Sequence, residues 1–381
     1  MQLCRRTCRA LSCLLVAGGC QSAPSASPAQ VAEVSRAWTT YVAGLKGRLY
    51  SGACTPSPDW LAAEQARWPC YNLAFLYLSD DVRVEGVDIQ PVASPGNMRY
   101  RVRTLFHGDS ATSALRSDSV YVTVFAIREK RRWVFANALP VLTQSWKRER
   151  VGAIEYVIEP GYAFNRARAE SAVAFTDSLA AVFAVPRLAP LTYYLTSTSD
   201  EMTRIIGLET RIKWGPTGGL AQPVNHQLFS GMPAIGERYA HELVHIMLRP
   251  LVKRTISLAD EGVATWLGGT TGMDFPTVAG RLALLLTKSP AIGLDAIMAD
   301  NVTIPYGTLT LSARYPAGAV LAMMVHERAG VAGIRTLLDA GYGVGEFRQT
   351  MEQLFGVPWA TIATQWRTRV LLFTSPPATL Y

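Results

Sequence analysis

The stretch Gly236-Glu-Arg-Tyr-Ala-His-Glu-Leu-Val-His-Ile-Met-Leu-Arg249 decides how this chain is read. Apolar side chains at Leu243, Val244, Ile246, Met247 and Leu248, followed by Pro250, predict a helix buried in a core. Side chains four apart on a helix share one face, so His241 and His245 can bring imidazole nitrogens to a single ion, with Glu242 beside it. Downstream, Glu261 lies in Ala259-Asp-Glu-Gly-Val-Ala-Thr-Trp-Leu267, which reads as a second helix. Ser257 and Asp260 resemble a capping box at its start, and Gly268-Gly269 close it. The short loop Pro250 to Ile256 lets this helix fold back on the first and brings Glu261 to the ion as a third ligand. Zinc lowers the pKa of a water it binds towards ~7, and a neighbouring carboxylate can take that proton and pass it to a leaving amine. The competing reading of Glu261 is a carboxylate placed favourably in its helix dipole.

The pattern His241-Glu-Leu-Val-His245 followed by Asp260-Glu-Gly-Val-Ala-Thr-Trp266 resembles the gluzincin metallopeptidases, in particular the bacterial group with short peptidase MA-like domains. Tyr315-Pro-Ala-Gly-Ala-Val-Leu-Ala-Met-Met-Val-His-Glu-Arg-Ala-Gly330, Leu337-Leu338, Phe355-Gly-Val and Trp366 are similar to the helical tail of that group. The likeness covers residues 150–373. It implies one zinc ion held by His241, His245 and Glu261, Glu242 as general base and acid, and Tyr315 as donor to a tetrahedral oxyanion. Tyr315 precedes Pro316 at a helix start, where a plain packing role competes. Members often carry a carboxylate four residues after the glutamate ligand, where this chain has Thr265. Asp260 can serve that orienting role instead, against the alternative that it caps its own helix.

Arg5, Arg6 and Arg9 precede the apolar run Ala10 to Gly19, too short to span a bilayer, which reads as a secretory signal over residues 1–19. Ending in Ala17-Gly-Gly-Cys20, it looks like a bacterial lipoprotein signal. That likeness implies cleavage before Cys20, acylation of Cys20 and a lipid anchor in the cell envelope, with ordinary cleavage and secretion as the alternative. Residues 20–30, rich in Ser, Ala and Pro, read as a flexible tether. With Cys4, Cys8 and Cys13 in the signal, Cys54 and Cys70 are left as candidates for a disulfide in an oxidising compartment, two separate buried thiols being the alternative.

The chain of 381 residues, 49% hydrophobic and 17% charged, is long enough for two folded domains. Its formal charge of +8 drops to about +5 without the three signal arginines, too modest to argue for nucleic acid, for which no motif exists. The basic clusters Arg128–Arg132 and Lys147–Arg150 could meet anionic lipid head groups, but the first sits between two strand-like runs and reads most simply as a solvated hairpin turn.

Residues 31–146 open with an amphipathic helix, Val31 to Leu49, followed by alternating strands Val82–Ile89, Tyr100–Phe106, Tyr121–Ile127 and Trp133–Asn137. A helix followed by a curved antiparallel sheet weakly resembles cystatin-like or nuclear-transport-factor-like folds and predicts an accessory α+β domain. Residues 150–373 then predict a zincin-type mixed sheet leading into helices. A possible edge strand, Ala221 to Phe229, carries Pro223 and could align a substrate backbone, with Asn225 and His226 towards the cleft. The expected class is therefore α+β. The expected activity is zinc-dependent cleavage of a peptide or protein substrate, with the same chemistry open to another amide. The rival from a different class is a non-catalytic envelope binding protein that keeps the metal for structure.

Overall fold

The computed structural model describes residues 27–45, 47–78, 80, 82–92, 99–108, 119–210, 218–299, 302–307 and 309–373. The signal segment, Cys20 and most of the tether lie outside the described residues. The first helix, α1 (Pro28–Gly44), begins inside the stretch read as tether, with Pro28 in its first turn, where the missing N–H costs nothing. Two short helices, α2 (Leu49–Gly52) and α3 (Ala62–Arg67), follow, and a 3-10 turn spans Ala74–Tyr77. Cys54 and Cys70 are joined by a disulfide.

The strands β1 (Val82–Val92), β2 (Arg99–Gly108), β3 (Ser119–Glu129) and β4 (Arg132–Asn137) form an antiparallel meander. In β2 the period of two is clean: Tyr100, Val102, Thr104 and Phe106 are buried while Arg99, Arg101 and Arg103 face outwards. Helix α1 lies on the buried face. Its Trp38 packs edge-on against Phe135 and donates its indole N–H to Thr104 Oγ1 at 2.7 Å, so the buried ring leaves no polar atom unsatisfied. Lys130 and Arg131 both take positive φ at the β3–β4 turn, so the cluster Arg128–Arg132 is the hairpin turn the sequence suggests.

After α4 (Ala138–Leu142), the second sheet runs in the order β5 (Lys147–Val151), β6 (Ile154–Ile158), β7 (Leu191–Leu195), β10 (Gln227–Ser230), β9 (Gly219–Gln222). The three inner strands are parallel and both outer strands antiparallel to their neighbours. The charged run Lys147–Arg150 thus lies in an edge strand. Its side chains pair with Glu149 and Glu155, which suits an exposed edge. Helices α5 (Arg166–Phe183) and α6 (Ser199–Ile206) connect these strands, and the three-residue β8 (Leu208–Thr210) leaves the second half of the chain to pair with β3. Val157, Tyr194 and Phe229 of the second sheet share a core with Trp38 of α1, Phe75 of the 3-10 turn and Phe106 of the first sheet.

The remaining chain is mostly helical: α7 (Ala240–Leu248), α8 (Ser257–Gly268), α9 (Phe275–Lys288), α10 (Leu294–Ala299), α11 (Arg314–Leu337, interrupted at Gly330), α12 (Val344–Phe355) and α13 (Trp359–Leu371). One exception went unread in the sequence, the hairpin β11 (Thr303–Tyr306) and β12 (Leu309–Ser312), whose strands are short and contain Pro305. The chain is α+β, and its described residues form one antiparallel and one mixed five-stranded sheet and the two-stranded hairpin β11–β12. Among the described residues, no helix is long and apolar enough to cross a membrane.

Two glycine contacts set the helix packing at the site. A Cβ on Gly268 would lie 2.5 Å from the His241 backbone nitrogen, so only glycine lets the end of α8 touch the start of α7. A Cβ on Gly318 would lie 1.9 Å from the Leu258 carbonyl oxygen, which presses the first turn of α11 against α8 just past Tyr315.

Candidate metal centre

Helix α7 is buried along most of its length, with His241 4% and Glu242 7% exposed, because its apolar residues face two cores. Leu243 and Ile246 pack with the second sheet, while Val244, Met247 and Leu248 join the helical core. Rotation about the helix axis is therefore fixed, and the face carrying His241 and His245 turns towards α8. A 3-10 turn, Arg249–Leu251, reverses the chain, and α8 returns alongside with Glu261 opposite both histidines.

The three side chains close a small triangle. His241 Nε2 is 3.0 Å from Glu261 Oε2, His245 Nε2 is 3.5 Å from the same oxygen, and the two Nε2 atoms are 3.3 Å apart. Two corners of a tetrahedron with arms of 2.0–2.1 Å are about 3.3 Å apart, so the triangle has the size of one face of a tetrahedral zinc site. His241, His245 and Glu261 can accordingly hold a metal ion.

The rear nitrogens fix which lone pairs face inwards. The Nδ1–H of His241 donates to the Gly269 carbonyl oxygen at 2.8 Å, which leaves Nε2 of the neutral ring as acceptor. Asp260 Oδ1 lies 3.5 Å behind His245 Nδ1 and does the same for the second ring. Of the two readings the sequence offered for Asp260, its place behind His245 is the one that fits the orienting role. The expected capping box is not formed: Ile256 is the N-cap and no side chain caps the helix. Thr265 is fully buried and its hydroxyl has no hydrogen-bond partner among the described residues. The rear nitrogen of His241 faces the Gly269 carbonyl rather than a side chain at position 265.

Electrostatics at the triangle favour positive charge. Burial opposes a charge on His245, but Asp260 and Glu261 outweigh it and lift its pKa well above the usual imidazole range. Burial likewise opposes ionisation of Glu261, yet its contacts with His241 and His245 hold it well below the usual carboxylate range. The potential that draws a proton to this spot would also draw a divalent cation.

Glu242 sits next to the triangle without joining it. Burial raises its pKa, the two histidines and a hydrogen bond from the Ala221 N–H of β9 lower it, and the Glu261 charge raises it again. Tyr315, in the first turn of α11, lies tilted against the His241 ring with 5.7 Å between ring centroids, and burial and the charges of Glu261 and Glu242 push its hydroxyl far above its ordinary value.

Tyr239, which the sequence reading passed over, also belongs here: its phenol is buried and feels Glu242, Tyr315 and Glu261. A Cβ on Gly219 would fall 2.1 Å from its Cε1, so the ring rests on bare backbone of β9. A glycine opposite a tyrosine leaves no periodic signal, and neither do the backbone groups of Ala221 and Gly269.

The stretch Ala221–Phe229 is two strands rather than one. Pro223 starts the 3-10 turn that joins β9 to β10, and only β9 forms the sheet edge. Asn225 is buried and bonded to the backbone of Cys70, and His226 is an exposed residue with positive φ. Of the other histidines, His107 contacts Ser119 in the first sheet and His326 stacks on Trp266. No family model matches the chain, and no curated protein is significantly similar to it.

Proposed function

We propose that this protein is a zinc-dependent peptidase of gluzincin type. The observation that carries this reading is the donor triangle, whose edges of 3.0 to 3.5 Å match a tetrahedral face and whose two imidazoles are held with Nε2 inwards. His241, His245 and Glu261 would hold the zinc. When bound, zinc supplies a Lewis acid that lowers the pKa of water and polarises a carbonyl.

Glu242 takes the proton of the attacking water on its carboxylate and delivers it to the leaving amine nitrogen. Its burial favours the protonated state that this transfer needs. Tyr315 donates its hydroxyl hydrogen to the oxyanion that develops on the carbonyl oxygen, and its high pKa keeps that proton in place. The free edge of β9 aligns an extended peptide by backbone hydrogen bonds. A structural metal in a binding protein would need a fourth protein ligand and no buried base.

On this reading the second sheet with α7 and α8 is a zincin-type core, and the first sheet with α1 is a cystatin-like or nuclear-transport-factor-like accessory unit. The protein acts at the bacterial cell envelope, held in the membrane through an acylated Cys20. The Cys54–Cys70 disulfide supports an oxidising compartment.

The test is zinc content and turnover of Glu242→Gln on a peptide library. Retained zinc with turnover reduced by about 10²–10⁴-fold is expected. Unchanged turnover would remove Glu242 from the chemistry.

A further inference from the structure

The edge strand β9 has four residues and one neighbouring strand, yet it carries the backbone group that holds the general base. Two bodies grip it. From one side, α7 takes the Ala221 N–H on the Glu242 carboxylate, and the Tyr239 ring lies on Gly219.

The other grip comes from the N-terminal half of the chain, through the segment closed by the Cys54–Cys70 disulfide and the 3-10 turn that follows it. Asn225, just past β9, accepts the Cys70 N–H at 3.1 Å and donates to the Cys70 carbonyl at 2.7 Å, a two-point bond that mimics a backbone pair. Gln222, the last residue of β9, donates its side-chain N–H to the Tyr77 hydroxyl. Leu220 packs into the core of the first sheet.

We propose that Tyr77, carried on the 3-10 turn that follows the disulfide-closed segment, is a positioning residue of the catalytic site: by fixing Gln222 it sets β9, and through the Ala221 N–H it sets Glu242. The accessory unit is then part of the peptidase rather than an appendage. A strand this short, paired on one side, opens locally at little cost unless something outside the sheet holds it. A displacement of the base by about 1 Å costs on the order of 10² in rate. The catalytic part of this inference rests on the peptidase reading, while the mechanical part does not.

The experiment uses the full chain. Tyr77→Phe removes one oxygen and keeps the ring in its core. Expected are faster hydrogen exchange at the Ala221 amide, unchanged zinc content, and a fall in kcat/KM of up to about 10²-fold. On a Gln222→Leu background, which removes the donor and keeps the side-chain bulk, Tyr77→Phe should add nothing, because both act through one bond. Unchanged Ala221 exchange, or full additivity with Gln222→Leu, would overturn the proposal. So would faster exchange with kcat/KM intact. If the parent protein cleaves no peptide, the function reading fails separately, and faster Ala221 exchange in both variants still supports the mechanical link while unchanged exchange overturns it.

Discussion

His241 and His245 present their Nε2 atoms to each other at 3.3 Å across one turn of α7, each held from behind through Nδ1 by an oxygen of α8 or its C-cap. Imidazole nitrogens that approach this closely beside one carboxylate oxygen are arranged for a shared cation rather than for each other.

It follows that zinc should bind tightly at a stoichiometry of about one and stabilise the fold by mass action. Added zinc is expected to raise the thermal midpoint of the parent protein, and a chelator to lower it. In His245→Ala neither should move the midpoint, since two donors of the triangle remain without the third. A zinc-dependent shift that survives this substitution would place the metal elsewhere.

Asp260 touches the candidate metal centre through His245 Nδ1. Asp260→Ala should weaken zinc affinity by about 10–100-fold while leaving turnover near normal at saturating zinc. Titration against a competing chelator measures the first quantity and a zinc-saturated assay the second. Unaltered affinity would return Asp260 to a plain surface carboxylate.

Gly318 lets α11 lie directly on α8, so Gly318→Ala forces a Cβ against the Leu258 carbonyl. Overpacking of this kind costs about 1–3 kcal/mol. Because α11 carries Tyr315 and α8 carries Glu261, activity should fall along with the denaturation midpoint. A variant of full stability would show that the helices part without strain.

Far from the metal, Glu64 is buried beneath β4 and accepts hydrogen bonds from the backbone and side-chain N–H groups of Asn137. Burial pushes its pKa up from 4.5 to about 7, with the Asn137 bonds opposing. A carboxyl whose folded pKa exceeds its unfolded one contributes its full share below pH 4.5 and loses it as pH rises towards 7. Glu64→Gln stays uncharged and keeps an acceptor for Asn137. Relative to the parent it should gain stability between pH 5 and pH 8, by an amount on the order of 3 kcal/mol at the upper end. Urea unfolding at both values would test this, and parallel pH dependence in the two proteins would refute it.

Much of the architecture was legible because the periodicity was strong. The four strands of the first sheet fall where alternation puts them, differing from their expected limits by a few residues. What escaped had weak local signals. The β11–β12 hairpin is short and carries a proline, β5 is hidden under charges, and the turn at Pro223 breaks what reads as a single strand.

The sequence by itself determined the candidate ligands and base, since a spacing of four on one helix brings two imidazoles to one face whatever surrounds them. Only the tertiary structure decided what holds them in place. The Gly269 carbonyl, the Ala221 N–H and the ledge at Gly219 are backbone features, which every residue possesses and no side-chain pattern announces. Asp260 and Tyr77 gain their positions from helix packing and from a core shared by residues far apart in the chain. Such groups become specific only when folding brings distant segments to hydrogen-bonding distance, a fact fixed by packing of the whole rather than by any local run.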